Sequence, residues 1–178
     1  MRQIKNAIIH CSDSEWGCAR AIRGWHLDRG FKDIGYHFVI LNGLPTFSHM
    51  QHAHLVPSLD GSIECGRTLD DDGFIQDVEI GAHALGYNDQ SIGICVIGVQ
   101  EFSTKQMFSL LRLLADLTLV YHIPIENILG HCETDSGKAE GKTCPNMDMN
   151  KVRGDLKAWQ KLSPTFDPIL FGEKGVKT

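Results

Sequence analysis

The residues best suited to chemistry in this chain are two histidines and a cysteine, His10, His131 and Cys144. His131 follows a short apolar run at 125–129 that predicts a strand, and Cys144 lies beyond a glycine-rich loop that could fold its sulfur back toward the imidazole. A soft thiolate and a borderline imidazole are ligands that zinc prefers. His10 ends the first predicted strand and is the best candidate for a third ligand. Three protein ligands leave one position open, which is typical of a catalytic zinc site rather than a structural one.

Length, composition and charge favour a single globular domain. The chain has 178 residues, 42% of them hydrophobic and 22% charged, and a formal net charge of -5 that disfavours nucleic acid as a partner. Residues 1–6 lack the apolar core of a signal peptide, and Arg112 and Asp116 interrupt the most apolar helical run. We therefore expect a protein that is made in the cytoplasm and does not insert into membranes. The six cysteines show no paired framework, so most are expected to be small buried groups.

Hydrophobic periodicity predicts the elements that must position these side chains. Strands are predicted at 3–10, 35–41, 60–67, 91–98 and 125–129, and helices at 19–29, 104–121 and from about 149 onward. The 91–98 segment is apolar on both faces, which predicts a central strand with helices on each side of the sheet. The sequence therefore predicts an α/β fold with one domain at 1–162 and a C-terminal tail at 163–178.

Four other histidines are interpreted as structural or solvated. His26 lies on the apolar face of the first helix, where a histidine is more often a satisfied core residue than a ligand. The predicted loop at 44–59 holds a histidine cluster without an acidic or thiol partner, so we interpret it as a solvated loop rather than a second metal site. Its members are His49, His52 and His54.

Four groups of residues also occur in a characteristic order: Ile9-His10-Cys11-Ser12, then Trp25-His26 with Gly35-Tyr36-His37-Phe38, then Gly81-Ala82-His83-Ala84 with Tyr87-Asn88 and Ser91-Ile92-Gly93, and last His131 with Lys142-Thr143-Cys144-Pro145. Over about 4–159, the chain resembles the zinc-dependent N-acetylmuramoyl-L-alanine amidases. That superfamily is shared by phage endolysins and peptidoglycan recognition proteins. The likeness is greatest to the small phage-type enzymes.

The resemblance implies one zinc ion bound by His10, His131 and Cys144, with Tyr36 and Lys142 as catalytic helpers. It also implies a mixed central sheet, and hydrolysis of the amide that joins N-acetylmuramic acid to L-alanine in peptidoglycan. Zinc would lower the pKa of its bound water to about 7 and polarise the scissile carbonyl. Lys142 would stabilise the oxyanion, and Tyr36 would orient the water or relay its proton.

Two further residues, His83 and Asn88, are candidates to line the substrate groove, although a structural role for His83 fits the sequence equally well. The 44–59 segment resembles an insertion relative to compact members of the family, and the 131–144 loop is expected to be longer than theirs. Both differences would alter the groove wall rather than the metal site. Peptidoglycan is the expected partner, and a monomer is the expected state.

Two alternatives stay open. In a cysteine hydrolase, Cys144 would be the nucleophile and His131 its base. In a non-catalytic peptidoglycan-binding module the thiolate ligand is often missing, so the presence of Cys144 favours catalysis. If the enzyme is an endolysin, we expect it to stay in the cytoplasm until a holin-like pore releases it to the cell wall.

Overall fold

The segment Ser91–Val96 is buried along its whole length, as expected of a strand that is covered on both faces. In the computed structural model, which describes residues 2–162, this strand is the central one of a five-stranded sheet. The strands are β1 (Arg2–Gln3), β2 (Asn6–Cys11), β3 (Phe38–Asn42), β4 (Asp60–Cys65), β5 (Phe74–Ile75), β6 (Ser91–Val96) and β7 (Ile128–Gly130). The helices are α1 (Ala19–Asp28), α2 (Phe47–Gln51), α3 (Thr104–Val120), α4 (Asp135–Ala139) and α5 (Met149–Leu162). Short 3-10 turns at Ile125–Asn127 and His131–Glu133 flank β7.

The main sheet is mixed. Its strand order is β4-β3-β6-β2-β7, and only the edge strand β4 runs antiparallel to its neighbour. β1 and β5 pair with each other in a separate antiparallel ribbon. The mixed sheet implied by the resemblance is thus confirmed.

Helices cover both faces of this sheet. Ile9 and Ile94 belong to a core cluster with residues of α3 and α5, whereas Val39 and Cys95 pack with residues of α1. Successive side chains of a strand point to opposite faces, so His10, which follows Ile9, lies on the α1 face. The predicted α/β architecture with helices on both faces is confirmed, and it places the first candidate ligand on the α1 side.

The predicted start of the longest helix is confirmed in detail. The Ser103 hydroxyl oxygen accepts a hydrogen bond from the Gln106 backbone N–H at 3.0 Å, and Gln106 Oε1 accepts one from the Ser103 N–H at 3.0 Å. This capping box satisfies two backbone donors that a helix leaves without internal partners. α3 therefore begins where the sequence predicted.

Two short helices were missed by the sequence prediction. α2 lies within the predicted loop at 44–59, and α4 lies within the predicted loop between His131 and Cys144. Each has five residues, too few to show a 3.6-residue hydrophobic period. Each begins at a threonine that accepts a backbone N–H, Thr46 and Thr134 respectively. The strand predicted at 125–129 is also shorter than expected, because a 3-10 turn precedes it.

Among the described residues, no helix combines the length and apolarity needed to cross a membrane. The tail predicted at 163–178 lies outside the described residues. The predicted boundary at residue 162 stays a prediction.

Candidate metal centre

Strand register brings the two candidate histidine ligands together. β2 and β7 are parallel neighbours in which Ile9 lies opposite Gly130. His10 is the next residue of β2, and His131 is the first residue after β7. Their ring centroids are 4.6 Å apart. Carboxyl ends of neighbouring parallel strands are the usual place for a functional site in an α/β sheet.

Cys144 reaches the same place through the segment that contains α4. Its carbonyl accepts a hydrogen bond from the Cys132 N–H at 2.8 Å, and Asn146 Nδ2 donates to the Val99 carbonyl at 2.6 Å. Its Sγ lies 3.8 Å from His10 Nδ1 and accepts a hydrogen bond from the Cys11 N–H at 3.3 Å. These contacts hold the sulfur beside the imidazole.

The three candidate ligand atoms lie close enough together for one zinc ion to draw them into its coordination shell. All of them lie within 4.8 Å of one another, and among the described residues theirs is the group of three that could share an ion. Tetrahedral zinc, with bonds of about 2.0–2.1 Å to nitrogen and about 2.3 Å to sulfur, needs ligand atoms roughly 3.5 Å apart. His10 is 2% exposed, whereas His131 and Cys144 are half-buried. The site is therefore closed behind His10 and open on the side of the other two residues.

Protonation states also suit metal binding by the imidazoles. Burial, with smaller effects from His83 and His131, holds the pKa of His10 well below its ordinary value of 6.5. Burial and the nearby Lys142 lower the pKa of His131. Both rings are thus neutral at pH 7, as a metal ligand requires. Contact with Cys11 and burial raise the pKa of the Cys144 thiol. A bound metal would favour the thiolate, because cysteine binds metal in its deprotonated form.

Tyr36 lies beside the first ligand. It precedes β3, and its ring centroid is 5.0 Å from that of His10 and 5.4 Å from that of His26. Burial raises the pKa of its hydroxyl well above 10, so this group is a protonated donor at neutral pH.

Lys142 lies on the open side of the site. Its Nζ is 3.2 Å from Glu140 Oε2, and the two side chains are 46% and 53% exposed. An exposed ion pair of this kind contributes little free energy, about 0.2–1 kcal/mol. Because the charge of Lys142 lowers the pKa of His131, the ammonium group lies close enough to act on this candidate ligand.

The two residues predicted to line the groove lie behind the ligands. His83 is buried, and its Nδ1 lies 3.1 Å from His10 Nε2. Asn88 Oδ1 accepts hydrogen bonds from the N–H groups of His83 and Ala84 at 2.8 and 2.9 Å. The structure therefore places Asn88 in the turn that supports His83. A contact of either residue with substrate stays a prediction.

The other histidines lie outside this group. His26 Nδ1 accepts a hydrogen bond from the Gly35 N–H at 2.9 Å, which agrees with its interpretation as a core residue. His37 is fixed between the Gly93 N–H and the Glu79 carbonyl, at 2.9 and 2.8 Å, and burial lowers its pKa to about 4. His49 and His54 lie on or just after α2, with ring centroids 5.5 Å apart.

A partly buried ion pair beside His131 was missed from the sequence. The Glu133 carboxylate accepts two hydrogen bonds from Arg153, at 2.8 and 2.9 Å, and a third from the Gly130 N–H at 2.9 Å. The hydrogen bonds from Arg153 lower the pKa of Glu133. This pair ties the turn that carries His131 to α5. The sequence shows no pattern that would link Glu133, on this turn, to Arg153, twenty positions later on α5.

The sequence profile of the family described as N-acetylmuramoyl-L-alanine amidase matches residues 1–147 of this chain. The chain belongs to the N-acetylmuramoyl-L-alanine amidase family. It is 31% identical over 162 residues to the endolysin of Escherichia phage T7, an alignment that covers 84% of this chain and 86% of the endolysin. The resemblance noted in the sequence is thereby confirmed, and with it the class of enzyme.

Solved structures of this amidase superfamily share the fold. The amidase LysC of Clostridium intestinale matches with a TM-score of 0.65 at 23% identity, covering 88% of this chain and 87% of LysC. Drosophila PGRP-LB, a peptidoglycan recognition protein, matches with a TM-score of 0.57 at 27% identity, covering 95% and 86% of the two chains. An N-acetylmuramoyl-L-alanine amidase and a peptidoglycan recognition protein are therefore both among its structural neighbours.

Proposed function

We propose that this amidase cleaves the bond between N-acetylmuramic acid and L-alanine with a single zinc ion held by His10, His131 and Cys144. The observation that carries the proposal is the convergence of their three ligand atoms within 4.8 Å at the ends of adjacent strands. Two neutral imidazoles and one thiol are a donor set suited to zinc. Three ligands leave a fourth position for the reaction.

A zinc ion bound there would supply an activated water at neutral pH and polarise the scissile carbonyl. The chain's own residues would complete the chemistry. Tyr36 keeps its hydroxyl proton at pH 7 and can donate a hydrogen bond beside His10 while accepting another. It would orient the attacking water or relay its proton.

Lys142 would stabilise the oxyanion. Its ammonium is exposed, and its contact with Glu140 is a weak surface pair, so it can turn toward a substrate at little cost. The charge is already close enough to affect His131. A positive group at the place where negative charge develops is often the largest single contribution to catalysis.

The cysteine-hydrolase alternative is less favoured by the geometry. A nucleophilic cysteine needs one base beside it, whereas the Cys144 sulfur lies within 4.8 Å of nitrogen atoms of two imidazoles, which together make a zinc donor set. Alkylation by a thiol reagent in excess zinc would abolish a cysteine hydrolase. The zinc enzyme should be inhibited by a chelator and recover when zinc is added back.

We further propose that the protein acts on the cell wall as a phage endolysin, after release from the cytoplasm through a holin-like pore. Its support is the similarity to proteins named as endolysins of phages such as T7. Expression alone should then be tolerated, with lysis when the inner membrane is permeabilised. Lysis without permeabilisation would contradict this route.

Product analysis tests the reaction directly. Purified protein with one equivalent of zinc should release new free L-alanine amino termini from peptidoglycan and no new reducing sugar ends. New reducing ends would identify a glycosidase. A zinc-loaded sample that binds wall fragments but never cleaves them would favour the binding-module alternative.

A further inference from the structure

The fold provides a slot for one imidazole behind the proposed metal site. The His83 ring lies between Gly81 and Gly93, and a Cβ at either glycine would come within 2.6 or 2.5 Å of the ring. Real Cβ atoms do not approach other carbon atoms so closely, so both positions must lack a side chain. His83 itself is only 9% exposed. The backbone of β6 and of the preceding loop is thus shaped around this ring.

Hydrogen bonds connect that ring to the ligand on one side and to the backbone on the other. His10 Nε2 is 3.1 Å from His83 Nδ1, and His83 Nε2 is 3.4 Å from the hydroxyl oxygen of Ser91. The Ser91 hydroxyl donates to the Tyr87 carbonyl at 2.7 Å. Ser91, at the start of β6, is fully buried. Four groups in succession therefore link the metal ligand to a main-chain carbonyl.

The Tyr87 carbonyl at the end of this series of hydrogen bonds determines which atom is the donor in each of them. A carbonyl can only accept, so Ser91 donates its single proton to Tyr87 and offers a lone pair to His83. His83 then carries its proton on Nε2 and accepts at Nδ1, which leaves His10 to donate from Nε2. The lone pair of His10 is consequently on Nδ1, the atom that lies 3.8 Å from Cys144 Sγ.

We propose that His83 is a positioning residue, which fixes the tautomer and the ring orientation of His10 so that Nδ1 is presented to the metal. Ligating histidines usually donate their second N–H to a carboxylate, a carbonyl or a water. Here the acceptor is a neutral imidazole, which orients the ligand without adding negative charge to the site. His83 is not one of the three proposed zinc ligands. Its positioning role rests on the proposed zinc site only for the predicted effect on zinc affinity.

Zinc affinity measured by chelator competition tests this role with a matched pair of variants. His83→Leu fills the slot without an acceptor and should weaken zinc binding by about 10- to 100-fold. His83→Asn retains an acceptor near the position of Nδ1 and should stay within roughly threefold of the native affinity, because the hydrogen bond to His10 is kept. Equal affinities for the native and His83→Leu proteins would overturn the proposal.

Nitrogen-15 NMR of the zinc-free protein gives a second measurement that does not depend on metal binding or on activity. The native His10 should appear as the tautomer protonated at Nε2. Ser91→Ala, a small change that should not disturb folding, removes the link between His83 and the Tyr87 carbonyl and should give a mixture of tautomers. A native His10 protonated at Nδ1 would overturn the proposal even if His83→Leu fails to fold. A native protein that binds no zinc yet shows the expected tautomer would refute the zinc site and leave the positioning role intact.

Discussion

Replacing Arg153 by methionine should loosen the turn that carries His131. Arg153 lies on α5, donates two hydrogen bonds to Glu133 and a third to the Ile128 carbonyl at 2.9 Å. Methionine keeps much of the aliphatic stem while removing the charge and the donors. The variant therefore separates the ion pair from the packing of the helix.

The size of the effect follows from burial. The two side chains are 17% and 30% exposed, so the pair lies between a surface pair and a fully buried one. Surface pairs contribute about 0.2–1 kcal/mol, and breaking a buried pair costs about 3–5 kcal/mol. We expect the free energy of unfolding of Arg153→Met to be lower by about 2 kcal/mol. This value also lies within the range that a hydrogen bond to a charged group contributes to stability.

Denaturation of the zinc-free protein by guanidinium chloride at pH 7 measures this loss without a contribution from metal binding. Lys151→Met is a matched control on the same helix, because its pair with Asp155 is 72% and 45% exposed. The control should change stability by no more than about 0.5 kcal/mol.

The loss of stability caused by Arg153→Met should also depend on pH. The pKa of Glu133 is lower in the folded protein than its ordinary value of 4.5. The contribution of the pair is therefore complete above about pH 4.5 and disappears as pH falls through the folded pKa. The difference between native and Arg153→Met proteins should narrow in acid. A difference below about 0.5 kcal/mol at pH 7, or one that persists unchanged in acid, would refute this account.

Three further predictions concern the site itself. Alanine in place of His10, His131 or Cys144 should abolish zinc binding and activity together. Metal analysis and a peptidoglycan assay would show both losses. A variant with full metal content and normal turnover would show that the replaced residue is not a ligand. Lys142→Ala and Tyr36→Phe should retain zinc but lose rate, by about a hundredfold to a thousandfold for the lysine if it stabilises the oxyanion. Near-normal turnover of Lys142→Ala would reduce it to a surface residue. Gly93→Ala should weaken zinc binding, because its Cβ would displace the His83 ring; an unchanged dissociation constant would show that the ring need not stay in place.

Elements with a strong local pattern were predictable from the sequence. β6 was identified as central because its apolar residues leave no polar face, and α3 was identified by its hydrophobic periodicity. The proposed ligands were found because two of them lie at strand ends and the motifs around them resemble a known family. In each case the information lies within a few consecutive residues.

Contacts that depend on three-dimensional register were not predictable. His83 and His10 are 73 residues apart in the sequence and meet only because β2 and β6 are neighbours in the sheet. The Glu133–Arg153 pair likewise joins a turn to a helix that begins sixteen residues after the turn ends, at Met149. Helices as short as α2 and α4 depend on a cap and on tertiary packing rather than on periodicity. These features can be recognised only in the folded structure.

The ligands at the two ends of the proposed site are 134 residues apart along the chain. An ion bound by both His10 and Cys144 would close a loop that contains the end of β2 and the whole of β3, β4, β6 and β7, so that every strand of the main sheet contributes to it. Such a closure acts on the unfolded chain as a cross-link does, because holding distant residues together removes conformational entropy that grows with the logarithm of loop length. The metal would thus link the first strand of the main sheet to the segment that follows the last, and the ion that supplies the chemistry of the site would also add to the stability of the fold.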